Sequence, residues 1–506
     1  MHPTLTAAFD SGMMNRTELL HNNNASLRQK GGIMELIVPF DSQSGSPLYE
    51  QIYQYIKDEI RGKRLGAGSR LPSTRILAQN LKVSRSTTQM AYDQLVSEGY
   101  IEALPYRGYY VSKIDELVEV RHKTAGSFVL EKNQDEHRFE VDFSPRGIDL
   151  ESFPFNTWRK LSRNTLVDDN KEMFSTGNPQ GELSLRTAVG EYLHSARGVD
   201  CSPDQILIGA GSEYLLMLLA QILGTDMGIA MENPTYKQAY RVLQGEGYHV
   251  VPVGMDRYGM DVERLQASGA MIAYVMPSHQ YPTGIVMPVK RRQELLSWAY
   301  KKEGRYLIED DYDSEFRYKG KPIPALQGMD GRERVIYSGT FSKSIAPAIR
   351  VSYLVLPKPL LAVYKERVNF YTSTVSRIDQ NILYQFMVSG CYERHLNRMR
   401  AVYKAKHDAL IGALKPFEHQ FAVKGEYAGL HLLLTDKKNR TEKWLVESAK
   451  RAGVKVYGLS SYLIREGKAV VAPTVILGYA MLSEDAIKEG IRLLRAAWSS
   501  DGEQEE

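Results

Sequence analysis

The sequence predicts an α/β protein in two parts: a small helical module closed by a β-hairpin, then a larger domain whose mostly parallel sheet has seven strands. Three observations carry that expectation. Compact, punctuated helices fill residues 46–112, short β-rich runs recur through the middle of the chain with helix-length spacers between most of them, and a patternless stretch of mixed charge, 113–140, separates the two.

Residues 1–33, with Asn22–Asn24 in a row and little apolar periodicity, read as disordered, and Met34 is an alternative start. The amino terminus lacks a basic segment followed by an apolar core, so no secretory leader is expected. The longest apolar run, LLMLLAQIL at 215–223, is about half of the roughly 20 residues that a membrane span requires. Two cysteines, Cys201 and Cys391, are too few for a disulfide framework and suit a reducing cytoplasm. Net charge is only +4, but residues 46–113 hold ten Lys/Arg against six Asp/Glu, an excess equal to that of the whole chain. Phosphate-backbone contacts are therefore expected in the front module.

Within that module, PLYEQIYQYIKDEI (47–60) spaces Leu48, Ile52, Ile56 and Ile60 four apart, an amphipathic helix opened by proline. Ser73 and Ser84 stand where N-caps of two further helices belong, and Gly99 where the second must end in the left-handed conformation. Two short helices and a tight turn followed by a hairpin make a winged helix-turn-helix. In that arrangement the first residues of the second helix, Arg85, Ser86, Thr87 and Gln89, face base edges. The wing is expected at 103–110, with Arg107 near its tip.

The domain beyond the linker, 141–500, contains seven strand-like runs: QILIGA, MGIAM, HVVPV, MIAYVM, RYLIED, RVIYSG and VSYLVL. They imply a sheet covered on both faces, in a large lobe of about 180–358, with residues 141–179 plus 359–500 as a smaller lobe. Chemistry gathers at the ends of these runs. SGTFSKSIAPAIR (338–350) sets Lys343 among hydroxyls with Arg350 close behind, which fits a lysine that forms a Schiff base with an aldehyde beside a phosphate seat. GAGSEYLLMLL (209–219) runs a strand through a glycine turn into a helix, where Gly211 lets a ligand approach and backbone amides receive a phosphate. In IEDDYDSEF (308–316) Asp310 is placed to keep a ring nitrogen protonated and Tyr312 to bond a ring hydroxyl. A Mg²⁺ site on Asp310, Asp311 and Asp313 is the other reading of that cluster. Tyr236 in ENPTYKQAY follows a proline turn and can stack on a flat ring, and PSHQYPTG (277–284) is one more strand-end turn of the kind where α/β sheets bind ligands.

The front module closely resembles the GntR-type DNA-binding domain over about 65 residues, through LPSTRILAQNLKVSRSTTQMAYDQLVSEG. That resemblance implies Arg75 and Arg85 as DNA contacts, with Thr87, Gln89 and Arg107 as further candidates. Over about 360 residues the remainder resembles the fold-type I pyridoxal 5′-phosphate (PLP) enzymes of the aspartate aminotransferase superfamily, and the whole chain resembles the MocR subfamily of regulators. The resemblance implies PLP on Lys343, its phosphate held by Thr340, Ser342, Arg350 and the Ser212 and Glu213 amides, with Asp310, Tyr312, Tyr236 and Tyr281 around its ring. It also implies operator DNA as partner, PLP or a PLP–amine adduct as effector, and a homodimer.

Several positions depart from the aminotransferase pattern. Tyr281 stands where asparagine usually precedes PTG, as in regulators of this subfamily. Ile476, in VILGYA, occupies the place of the arginine that clamps a substrate carboxylate. Gln238 replaces an arginine of the GABA-responsive members, and Thr176, with Phe174 nearby, replaces an aromatic hydroxyl that reaches the partner's phosphate. Arg241, Arg377 and Arg465 are candidate substitutes for the missing arginine. These departures favour a sensor over full transaminase turnover. An active aminotransferase with an accessory DNA-binding module, or a scaffold without cofactor, are the competing readings.

Overall fold

The computed structural model describes residues 28–30, 33–41, 45–113, 139–166, 171–318, 323–464 and 472–499. Nearly all of the expected linker, most of residues 1–33, and Arg465 lie outside them. Contacts divide the chain into two units, Met1–Gln134 and Asp135–Glu506.

In the first unit β1 (Arg28–Lys30) pairs antiparallel with β2 (Ile33–Glu35), so part of the stretch expected to be disordered forms a short hairpin. Helix α1 (Leu48–Arg61) buries Ile52, Ile56 and Ile60 but leaves Leu48 exposed, because the first helical residue lies beyond the end of the core. In α2 (Thr74–Leu81) and α3 (Arg85–Ser97) the Ser73 and Ser84 hydroxyls accept the Ile76 and Thr87 amides at 3.3 and 3.1 Å, each satisfying a donor that the helix cannot. Gly99, at φ +77°, carries the chain out of α3 into the antiparallel pair β3 (Ile101–Leu104) and β4 (Gly108–Val111). Fully buried Thr88 donates to Thr74 O at 2.9 Å and Tyr92 to Pro72 O at 2.9 Å, fixing α3 against α2. Leu36 and Val38, ahead of the expected module, complete its core.

The second unit opens with β5 (Val141–Asp142), α4 (Phe155–Thr165) and α5 (Leu183–Arg197). Its large sheet is built from β6 (Ile206–Gly209), β7 (Ile229–Asn233), β8 (Val250–Asp256), β9 (Gly259–Met260), β10 (Ile272–Val275), β11 (Tyr306–Asp311), β12 (Val335–Thr340) and β13 (Ser352–Val355), in the order β6-β13-β12-β11-β10-β7-β8-β9. Strands β8, β7, β10, β11 and β12 run parallel. Strand β13 is antiparallel to both neighbours, since its connection from β12 holds only a short 3-10 turn, Pro347–Ile349, and no crossover helix. The eighth strand, β9, is a two-residue return on the edge and was not among the seven expected.

Side chains alternate between the two faces. Leu207, Ile229, Met231, Ile272 and Tyr274 pack under α6 (Ser212–Leu223), α7 (Lys237–Gly245) and α10 (Lys358–Arg367). On the other face Ala230, Ala273 and Val275 meet α8 (Val262–Ala267) and α9 (Val289–Tyr300), while Ile206, Ile208 and Tyr353 meet α4, α5, α11 (Arg377–Val388) and the start of α12 (Cys391–Leu414). Burial on both faces explains why these strands read as continuous apolar runs. Helices α4, α10 and α11, which the sequence reading assigned to the small lobe, thus bury their apolar sides on the large sheet.

The remaining core lies under a second, four-stranded sheet in the order β14 (Phe421–Lys424), β15 (His431–Asp436), β18 (Thr474–Gly478), β17 (Tyr457–Gly458). Helices α13 (Glu442–Arg451), α14 (Glu484–Ser499) and the end of α12 cover it, and β16 (Val454–Lys455) pairs with β5. Among the described residues no helix is long and apolar enough to cross a membrane.

Candidate functional site

In the first unit, Arg75, Arg85, Ser86 and Arg107 are exposed, Arg85 and Ser86 in the first turn of α3 and Arg107 in the hairpin turn. The Ser86 and Thr87 hydroxyls both lie 2.7 Å from Ser84 Oγ and join the helix cap. Gln89 donates to Asp93 Oδ1 at 2.8 Å and to Tyr109 OH at 3.2 Å, tying α3 to the hairpin. These bonds engage the Ser86, Thr87 and Gln89 side chains, whereas the Arg85 guanidinium is exposed with no hydrogen bond or ion pair among the described residues. Tyr106, inside the expected wing, is fully exposed at φ +62° in the hairpin turn.

In the second unit the carboxyl ends of β7, β10, β11 and β12 and the amino end of α6 enclose a cleft of about 320 Å³. Lys343, Asp310, Tyr312, Tyr236, Tyr281, Ser212, Glu213, Thr340, Ser342 and Arg350 all line it, and Gly211 sits directly behind. The Lys343 ammonium donates to Arg146 O at 2.7 Å and Pro145 O at 3.3 Å. Burial lowers its pKa to about 8, helped by the Arg146 charge and opposed by Asp313. Asp310, at the end of β11, accepts a hydrogen bond from Tyr274, and burial pushes its carboxyl up to about 7. A cationic ring nitrogen beside this carboxyl would restore its charge.

The three acidic side chains of the β11 end have different partners. Asp311 is locked to Arg197 at 2.8 Å and accepts from Tyr337 at 2.6 Å, while Asp313 bonds His279 Nδ1 at 2.8 Å. They do not converge, and among the described residues no cluster of His, Cys, Asp and Glu is arranged to hold a metal ion. The Tyr312 hydroxyl lies 3.0 Å from the same His279 nitrogen. Tyr281 stands edge-on to Tyr236, Tyr312, His431 and Tyr462, building an aromatic wall, with its hydroxyl 3.1 Å from that of Tyr462.

At the opposite end the turn between β12 and β13 bends around the start of α6. Arg350, itself left-handed at φ +52°, reaches Glu213 at 2.9 Å and Ala210 O at 3.4 Å. Gly211 has φ +99°, and a Cβ there would press into the Arg350 guanidinium. Thr340 Oγ1 accepts the Ser342 amide at 3.1 Å and pairs with Ser352 Oγ at 2.8 Å. A helix amino end, an arginine and hydroxyls about a side-chain-free position form a seat for a phosphate. With a lysine and a half-buried carboxylate in the same cleft, the donor set fits PLP.

Residues 48–111 match the family of bacterial regulatory proteins, gntR family, and residues 149–492 match aminotransferase class I and II. The chain is 38% identical to the HTH-type transcriptional regulator YdeL of Bacillus subtilis, over 91% of this chain and 99% of that one. It is 31% identical to the probable rhizopine catabolism regulatory protein MocR of Rhizobium meliloti, covering 90% and 95% of the two chains. The chain belongs to the MocR-type transcriptional regulators of the GntR family. A further relative, the pyridoxine biosynthesis regulator PdxR of Corynebacterium glutamicum, is 29% identical over 90% of this chain and 97% of that one. The kynurenine aminotransferase of Pyrococcus horikoshii, 24% identical with a TM-score of 0.63 over 72% of this chain and 91% of that one, shares the fold of the body.

In this MocR-type regulator the departures from the aminotransferase pattern have structural consequences. Ile476, at the position that the aminotransferase resemblance assigns to a carboxylate-binding arginine, is fully buried in β18 and packs with Leu433, Leu459 and Tyr462. Arg377 is committed to Glu182 at 3.0 Å and to Ser175 and Glu172 O, and Arg241 is exposed; neither lines the cleft. Thr176 and Phe174 are exposed outside the cleft. Sequence reasoning missed Tyr274, the Asp310 partner, and Arg146, which lines the cleft from the far end of the body sequence. The cue for Arg146 was thin: SPRGIDLESFP lies far along the chain from every strand-end turn.

Proposed function

We propose that this regulator binds PLP in the cleft, linked to Lys343, and reads operator DNA through the start of α3 and the β3–β4 hairpin. PLP or its adduct with a small amine is the signal that changes operator binding. The observation that carries this reading is one cleft holding Lys343, Asp310 and the Arg350–Gly211 seat together. Bound there, PLP supplies an aldehyde that condenses with amines and a ring that withdraws electrons. Thr340, Ser342, Arg350 and the Ser212 and Glu213 amides hold its phosphate end, Asp310 holds a proton at the ring nitrogen, and Tyr236 and Tyr281 flank the ring and exclude water. PdxR, by its name a regulator of pyridoxine biosynthesis, supports the cofactor as ligand.

The regulator acts in the cytoplasm as a homodimer, a state consistent with Phe174 and Phe370, which stand 76% and 74% exposed. Ile476 sets the chain apart from a transaminase, because no guanidinium at that position clamps a substrate carboxylate. Footprinting of upstream DNA with and without PLP tests the reading: a protected site whose affinity or pattern changes with PLP is expected, and identical binding to random sequence overturns it. Steady multiple turnover with an amino donor and a keto acid would establish an active aminotransferase instead.

A further inference from the structure

Arg146 has no place in the cofactor seat, yet it lines the cleft beside Lys343, Tyr236 and Tyr281. Its backbone is pinned: the carbonyl accepts Lys343 Nζ at 2.7 Å and the amide donates to Ser144 Oγ at 3.4 Å. Around it, Gly478 N donates to Phe143 O at 2.9 Å, and a Cβ on Gly147 would overlap Met481, so the loop is held against the small lobe. The guanidinium, in contrast, has no ion pair or hydrogen bond among the described residues.

The neighbouring carboxylates are already engaged. Glu213 pairs with Arg350, Asp313 with His279, and Asp310 with Tyr274. Arg146 is therefore a cation without a counter-charge, placed next to the lysine where an incoming amine would react. The position that the aminotransferase resemblance assigns to a carboxylate-clamping arginine is Ile476, fully buried. A guanidinium presents paired donors that match a carboxylate, and a fixed loop lowers the ordering cost of using them.

Resting on the PLP reading above, we infer that Arg146 recognises the anionic group of the effector, and that the effector is a small primary amine carrying a carboxylate or a comparable acidic group. The anion sits at Arg146 while the amine meets the cofactor. Arg146 thus offers the effector's anion a guanidinium from a strand end and loop other than those of Ile476.

The test uses the PLP-loaded full-length protein, followed by visible absorbance during titration with matched pairs: L-alanine against ethylamine, 4-aminobutanoate against propylamine, and 2-aminoethanesulfonate as the sulfonate arm. At least one acid-bearing compound should half-saturate the spectral change at a concentration about tenfold or more below its neutral match, as expected for one charge-assisted bidentate contact. In Arg146→Gln that preference should shrink to about twofold or less, with Arg146→Lys between the two. The sulfonate arm decides whether the acidic group is a carboxylate alone. Wild-type protein that loads PLP but shows no preference, or a glutamine variant that keeps it, overturns the inference and leaves the cofactor reading standing. Loss of PLP uptake in both Arg146 variants also overturns it, because Arg146 would then belong to the cofactor seat. Wild-type protein that takes up no PLP defeats both readings.

Discussion

The winged helix-turn-helix module keeps Arg75, Arg85 and Arg107 exposed to water, whereas the cleft half-buries Lys343 and Asp310, and desolvation there lowers the proton affinity of the lysine and raises that of the carboxyl. An exposed cation gains its energy from the phosphate or base that it meets, one contact at a time and screened by salt. The two cleft groups are tuned by the fold before any ligand arrives. Substitutions in the module should therefore act by degrees, and those in the cleft all at once.

The sharpest break of that contrast is Lys343→Ala. Visible absorbance from bound PLP should vanish while far-ultraviolet circular dichroism stays unchanged; persistence of the band would place the cofactor on another lysine. Gly211→Ala comes next, because it strains a φ of +99° and pushes on Arg350. PLP affinity measured by titration should fall by about 1–3 kcal/mol, roughly five- to 150-fold. An unchanged affinity would detach the phosphate seat from this turn.

In the module, Arg85→Ala should cost about 1–3 kcal/mol of operator affinity and relax sequence preference, with little change on random DNA. Equal losses on both DNAs would make Arg85 a backbone contact. A pH series sharpens the contrast from the cleft side. Lys343 is a base whose pKa is lowered to about 8, so its reactive neutral form grows as pH rises through that value. The rate of PLP capture should rise about tenfold from pH 7 to 9 and then level off. A flat profile would mean that burial does not set its reactivity.

The smallest effect belongs to Glu98, which accepts Lys57 at 2.8 Å and Tyr53 at 2.6 Å, and whose carboxyl is drawn down to about 2, first by the Lys57 hydrogen bond. Its folded pKa is depressed, so its stabilisation is present above the ordinary carboxylate pKa and lost as pH falls through about 2. Glu98→Gln should lower module stability by about 0.5 kcal/mol at neutral pH, read by thermal melting, since the pair is partly solvated.

Much of this was legible in the chain because local chemistry and fold agreed. The serine caps, the Gly99 stop and the seven apolar runs each follow from a backbone requirement that a short window of sequence expresses. The strand-end residues of the cleft were legible for the same reason: a parallel sheet brings its carboxyl ends together, so turns distant in sequence become neighbours. What escaped depends on packing between remote segments. Arg146 reaches the cleft only because β5 pairs with β16, Tyr274 meets Asp310 only through strand register, and α10 and α11 choose the large sheet for reasons no helical period encodes. The antiparallel turn of β13 escaped too, although its short connection announced it.

The most direct test of the account is borohydride reduction of the PLP-loaded protein, followed by proteolysis and mass spectrometry. The account predicts a pyridoxyl-phosphate mass on the peptide containing Lys343; an adduct on a different lysine, or none after incubation with excess PLP, would contradict it.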